Sequence, residues 1–283
     1  MQIFEITLFG ITIAPTYYGL MYALGFLAGY YVIRYRTSSQ PSTPGHSLLT
    51  EANSPCPLKE KEQEHLNSPL LQRRGVRGEV ELLDDLLLYI VAGVILGGRL
   101  GYVIFYNLTS YIENPLDILK VWEGGMSFHG GVIGVIIAMY LFSKRYKVGF
   151  LKLSDEITAV LPIGLGLGRI GNYLNKELLG FPYNGPLAVN GNFPSPLLEA
   201  LLEGVVLFII LNLVYKNRKF DGQIASLFLI FYGVFRIIVE LFFRLPDANI
   251  GYIAGYFTLG TLLSIPMIIA GFYYYVKFSK KIK

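Results

Sequence analysis

The chain has 283 residues, 53% of them hydrophobic and only 16% charged, with a mean hydropathy of +0.48. A soluble domain carries about 25% charged residues, so the composition excludes an ordinary water-soluble enzyme and points to an all-α polytopic membrane protein. The net charge of +4 reads as asymmetry between loops, with no nucleic-acid partner. Cys56 is the single cysteine, so no intramolecular disulfide is possible, and neither a metal site nor a cofactor is expected.

Charge-poor stretches of about bilayer length fall near residues 11–33, 86–108, 126–142, 157–174, 196–215, 224–243 and 253–276, which predicts seven spans. The first follows Glu5, with no basic leader and no small-residue cleavage site before Arg34, so it is expected to be retained. Tyr22 lies near its middle. Residues 1–36 form this first segment. Residues 37–80 are expected to be a largely disordered cytoplasmic insertion, rich in Ser, Pro, Gln, Glu and Lys. Residues 81–283 supply the six remaining helices, with a small extracytoplasmic head near 175–196.

The second span carries Gly93, Gly97 and Gly101, and the third Gly130 and Gly134. Spacing of four puts small residues on one helix face and lets backbones approach closely, so most of these glycines are read as packing contacts. The clusters at 123–131 and 164–171 are denser, and irregular backbone at membrane depth is tolerated where it lines a cavity. Trp122 and the tyrosines near span ends read as interfacial anchors.

Basic residues gather at alternate connections: Arg34 and Arg36, then Lys144, Arg145, Lys147 and Lys152, then Lys216, Arg218 and Lys219, then Lys277, Lys280, Lys281 and Lys283. The positive-inside rule then puts the N-terminus outside and the C-terminus in the cytoplasm. In that arrangement Arg99, His129, Arg169, Arg236 and Glu240 all fall in the outer half of the membrane. A charge at a helix centre costs about 2.5–3.5 kcal/mol on insertion scales, so such residues face a cavity or one another. Tyr232, Arg236 and Glu240 share one face of the sixth span. Arg236 and Glu240 are either an ion pair that lets the helix insert, or a carboxylate that orients a ligand-binding arginine. Arginine donates two parallel hydrogen bonds and stays charged in a dry site, so several arginines in one outer cavity suggest an anionic lipid headgroup. His129 is the single histidine outside the insertion and is the candidate proton acceptor.

The stretch GRIGNYLNKELLG at 168–180 resembles the signature of the bacterial prolipoprotein diacylglyceryl transferases. YGLMY at 18–22, GGRLGY at 97–102, WEGGMSFHGG at 122–131, YGVFRIIVE at 232–240 and RLPD at 244–247 extend the resemblance along the chain apart from the insertion. It implies transfer of diacylglyceryl from phosphatidylglycerol to the lipobox cysteine of a preprolipoprotein, in the bacterial inner membrane with the site toward the outer leaflet. The residues expected at that site are His129, Arg169 and Arg236 for catalysis, and Tyr22, Arg99, Asn172, Asn175, Glu177, Tyr232 and Glu240 for substrate binding. Two departures stand out. The family's His-Pro-Ser-Gln-x-Tyr-Glu element reads FPSPLLE at 193–199, keeping Pro194, Ser195 and Glu199, and the insertion is longer than the family's.

The nucleophile is then a thiolate, because a thiol titrates near pH 8.5 in water (about 8.5) and its neutral form attacks poorly. Either His129 accepts the thiol proton, or an arginine-rich site holds the thiolate by charge. Two other classes share part of the pattern. An anion or lipid transporter also uses glycine-broken helices and intramembrane arginines, but it carries an internal repeat that is not visible here. A noncatalytic lipid-binding paralogue is consistent with the altered 193–199 element.

Overall fold

The computed structural model describes residues 6–8, 11–13, 17–39, 69–106, 108–121, 124–246, 251, 253 and 256–280. Cys56, His46 and His65 lie outside the described residues, as do Trp122, Glu123, Asp247 and most of the insertion. Two compact units are present, Met1–Ile33 with Ser154–Lys283, and Arg34–Leu153.

The described residues are overwhelmingly helical. The exception to the all-α expectation is a short antiparallel pair, β1 (Ile6–Leu8) with β2 (Ile11–Ile13), in which Thr7 faces Thr12. The helices are α1 (Tyr17–Ser39), α2 (Pro69–Tyr106), α3 (Leu108–Glu113), α4 (Phe128–Tyr146), α5 (Phe150–Leu174), α6 (Ser195–Tyr215), α7 (Gln223–Phe242) and α8 (Leu259–Ser279). α2 begins inside the segment that composition assigns to the insertion. Among the described residues, four stretches are long and apolar enough to cross a membrane: Val80–Phe105, Ser195–Tyr215, Gln223–Phe242 and Leu259–Ser279. Their outward faces carry large apolar side chains such as Leu88, Leu96, Leu213 and Ile269, each more than 60% exposed. A surface of that kind suits lipid and not water, and the protein is a helical membrane protein.

In the unit Arg34–Leu153, α2 and α4 pack through their glycines. A β-carbon on Gly97 would lie 2.7 Å from the Gly134 Cα, and one on Gly101 would lie 2.7 Å from the Gly130 Cα. The spacing-of-four stripe is therefore a packing seam. Ser127 caps α4, its hydroxyl accepting from the Gly130 N–H at 3.3 Å. At the other end Tyr146 donates to Asp85 at 2.7 Å and ties α4 back to α2.

In the other unit, α6 begins as a regular turn, widens into a π-helical stretch at Ala200–Val206, and resumes as α-helix at Leu207–Tyr215. Gly204 sits in the widened stretch, where a β-carbon would come within 2.8 Å of the Gly166 Cα, so α5 and α6 touch backbone to backbone. Ala159, Leu207, Leu211, Ile224 and Phe228 close a core among α5, α6 and α7. Asp155, before the apolar run of α5, is fully buried and caps α7 across the chain: its carboxylate accepts from the N–H groups of Gly222 and Ala225, both at 2.9 Å. Burial pushes its carboxyl up to about 6, against the pull of those two N–H groups and of Arg218.

Candidate functional site

Arg169 comes from the last turns of α5, Glu199 and Glu203 from the start of α6, and Arg236 and Glu240 from α7, with Arg244 just beyond its end. Spacings of four residues put Glu199 and Glu203 on one face of α6, and Arg236, Glu240 and Arg244 in one row. These rows meet in an ion-pair network. Arg169 Nε lies 2.9 Å from Glu199 Oε2 and 3.2 Å from Glu203 Oε2. Arg236 Nη1 donates to Glu199 Oε1 at 3.0 Å, and its Nη2 lies 2.6 Å from Glu240 Oε1. Arg244 Nη1 reaches both Glu199 Oε1 and Glu240 Oε1 at 3.1 Å.

Among the described residues the network holds three guanidinium groups against three carboxylates, which offsets the cost of burying either sign. The two signs are not equally placed. The Glu199 and Glu203 side chains are 0% exposed, whereas those of Arg169, Arg236 and Arg244 keep 16%, 14% and 12%. The carboxylates are the more deeply buried sign, and the arginine side chains keep most of the little exposure the network has. Arginines so clustered can take an oxyanion by charge-assisted hydrogen bonds. Gly260 makes room for Glu240, since a β-carbon there would fall 2.6 Å from Glu240 Oε1.

The other expected residues of this unit lie on α1, on α7 and at the end of α5. Tyr22 on α1 lies against Gly168, where a β-carbon would be 3.2 Å from the phenolic oxygen, so its hydroxyl stands beside the residue preceding Arg169. Tyr232 is one turn before Arg236 and stacks on Phe228, ring centroids 5.5 Å apart. Asn172 is buried and donates from Nδ2 to Glu177 Oε2 at 3.1 Å, while the Glu177 N–H donates to the Asn172 carbonyl at 2.9 Å. The Asn175 N–H closes the last turn of α5 on the Gly171 carbonyl at 3.0 Å. Lys176 and Leu178 hold left-handed backbone, φ 60° and 57°, a conformation costing roughly 1–2 kcal/mol per non-glycine residue. It is held by Ser195, whose hydroxyl donates to the Leu178 carbonyl at 2.6 Å, and by the pairing of Gly180 with Arg244. Phe193, where the family pattern has histidine, packs its ring on Tyr183 and Phe243, both centroids at 5.3 Å.

Arg99 and His129 belong to the unit Arg34–Leu153. Arg99 is only 4% exposed and donates to main-chain carbonyls from all three nitrogens: Nε to Ile118 at 2.9 Å, Nη2 to Asp117 at 2.6 Å, and Nη1 to Gly124 at 2.5 Å and Gly125 at 3.3 Å. Its guanidinium also lies 5.2 Å from the centre of the Tyr111 ring. His129 is exposed in the first turn of α4, edge-on to Phe128.

Glu203 lies outside the motifs that mark the site in the sequence, and Glu199 and Arg244 stand there only as parts of motifs. A signal was present. Two acidic residues four apart in an apolar span are as costly as the intramembrane arginines.

A family model described as prolipoprotein diacylglyceryl transferase matches residues 66–277. The chain belongs to the prolipoprotein diacylglyceryl transferase family. A phosphatidylglycerol–prolipoprotein diacylglyceryl transferase of Nitratidesulfovibrio vulgaris (strain DP4) is 39% identical over 275 residues, 92% of this chain and 90% of that protein. Proteins of the same name from Pseudomonas savastanoi pv. phaseolicola and Pseudomonas syringae pv. syringae are 49% and 50% identical over 204 and 202 residues. Each of those two alignments covers 68% of this chain, and 75% and 74% of the respective relatives. Arg99, His129 and the whole ion-pair network fall inside the stretch matched to the prolipoprotein diacylglyceryl transferase family, and Tyr22 precedes it.

Proposed function

We propose that this chain transfers the diacylglyceryl group of phosphatidylglycerol to the lipobox cysteine thiol of a preprolipoprotein. A C–S thioether bond forms at the glycerol carbon, the C–O bond to phosphate breaks, and glycerol phosphate leaves. Family membership and the names of relatives aligned over most of the chain support the reaction class. The observation that carries the reading is the set of three arginine side chains paired with buried carboxylates and keeping partial exposure, in a membrane protein whose relatives are named for an anionic phospholipid.

Arg169 and Arg236 neutralise the charge that grows on the departing phosphate oxygen, a preorganised electrostatic effect that is often the largest contribution to catalysis. Glu199, Glu203 and Glu240 fix the guanidinium planes. Tyr22, Asn172, Asn175, Glu177 and Tyr232 border the lipid and its glycerol hydroxyls. His129 accepts the thiol proton. The enzyme sits in the bacterial inner membrane as seven spans, with the N-terminus and the site toward the outer leaflet. Helical segments of 19 or more residues at all seven expected positions and the alternation of basic connections support that arrangement.

The test is direct. Purified protein in phosphatidylglycerol vesicles is mixed with a lipobox peptide, and the peptide mass is followed. Addition of one diacylglyceryl group is expected, with none on a peptide whose cysteine is serine. Absence of addition where the Nitratidesulfovibrio vulgaris relative modifies the same peptide refutes the reading.

A further inference from the structure

We infer that Arg99 is a positioning residue that sets the place of His129 and does not bind the lipid headgroup. The inference rests on the transfer reaction proposed above. Arg99 is nearly buried, and each guanidinium nitrogen already donates to a main-chain carbonyl of the segment leading into α4. Two of these carbonyls belong to Gly124 and Gly125, whose successive left-handed conformations, φ 85° and 75°, turn the backbone there. Gly125 is seated on Tyr102 of α2, since a β-carbon there would fall 2.6 Å from the Tyr102 ring. Met126 lies against Gly98, and the Ser127 N–H donates to the Gly98 carbonyl at 2.8 Å. Ser127 is the cap of α4, and His129 follows two residues later. One turn of α2 thus holds every described residue from Gly124 to Ser127, and Arg99 is the only charged group in that hold among the described residues. A lysine there keeps the charge but has a single ammonium, which cannot span carbonyls at 117–118 and 124–125 together.

The experiment compares wild type, Arg99→Lys, His129→Gln and the double variant in phosphatidylglycerol vesicles with a lipobox peptide. Arg99→Lys is expected to lower kcat by roughly tenfold to a hundredfold, the scale of an ångström-level misplacement, with the KM for phosphatidylglycerol changed by less than about twofold. In the His129→Gln background the same substitution is expected to cost little more, because both changes disable one element. Backbone hydrogen exchange over 124–131 is expected to speed up in Arg99→Lys. A raised KM with kcat intact makes Arg99 a lipid ligand and overturns the inference. So do independent, multiplicative losses, or full turnover by either single variant. Inactive wild type sinks the reaction itself, a distinguishable result. If Arg99→Lys does not accumulate in membranes, Tyr111→Leu, which removes the ring under the guanidinium and leaves its four carbonyl bonds, is read by the same kcat and KM criteria.

Discussion

Arg236 and Glu199 are 37 residues apart in sequence, yet their side chains meet at 3.0 Å on a carboxylate with no exposed surface. Glu199 also serves Arg169 and Arg244, so one buried carboxylate anchors three guanidinium groups. Breaking a buried pair from one side costs on the order of 3–5 kcal/mol, because the remaining charge loses its compensation. Glu199→Gln keeps the shape and removes the charge. It is expected to lower the thermal unfolding midpoint in detergent by several degrees and to reduce diacylglyceryl transfer together with it. An unchanged midpoint would show that the network tolerates an excess positive charge.

Arg169 approaches its two carboxylates through Nε, and it keeps partial exposure. Its removal as Arg169→Ala is expected to lower the transfer rate by roughly a hundredfold or more, the scale of losing one transition-state donor. Arg169→Lys is expected to recover only part of that loss, since an ammonium lacks the planar fork. Initial rates of peptide modification at saturating phosphatidylglycerol decide the point, and wild-type rates in either variant would remove Arg169 from the chemistry.

The glycine seam in the unit Arg34–Leu153 gives an internal control. A β-carbon on Gly134 would lie 2.8 Å from the Gly97 Cα, whereas one on Gly131 finds its nearest neighbour at 3.8 Å. Gly134→Ala is therefore expected to destabilise by about 1–3 kcal/mol, as overpacking does. Gly131→Ala is expected to be neutral or slightly stabilising, by up to roughly 1 kcal/mol from reduced backbone freedom. Unfolding of the two variants side by side in the same detergent reads the difference, and equal midpoints would contradict the seam.

Asp155 predicts a pH dependence. Its folded-state carboxyl is raised from 3.8 to about 6, so the folded protein favours the protonated form. The associated stability is fully present below about pH 4 and is lost as pH rises through about 6. A shift of this size corresponds to at most about 3 kcal/mol. Relative to Asp155→Asn, which does not titrate, wild type is expected to lose stability between about pH 4.5 and pH 7. A wild-type stability, measured relative to Asp155→Asn, that is flat across this window or rises with pH would refute the assignment.

Several features of the site are legible in the sequence. Arg169, Arg236 and Glu240 stand out as charges in apolar runs, and the structure brings all three into one network. The two readings of Arg236 and Glu240 are compatible: the pair exists at 2.6 Å, and Arg236 also reaches α6. Arg99 stands out on the same cost argument, but its use was not legible, because its partners are main-chain carbonyls that every sequence supplies. Glu203 is visible in the sequence only as an acid in an apolar run, because its partner Arg169 is 34 residues away and nothing local links the two.

The sequence alone determined that the chain is a helical membrane protein, that glycines spaced by four form contact faces, and that a few charges must be sheltered. Each of these follows from composition and the 3.6-residue period, which act over short distances along the chain. The tertiary structure decided which carboxylate answers which arginine, which side chains of the network are fully buried, and that Arg99 holds a loop. Those outcomes depend on helices meeting across tens of residues, where a one-turn shift of about 5.4 Å exchanges every partner.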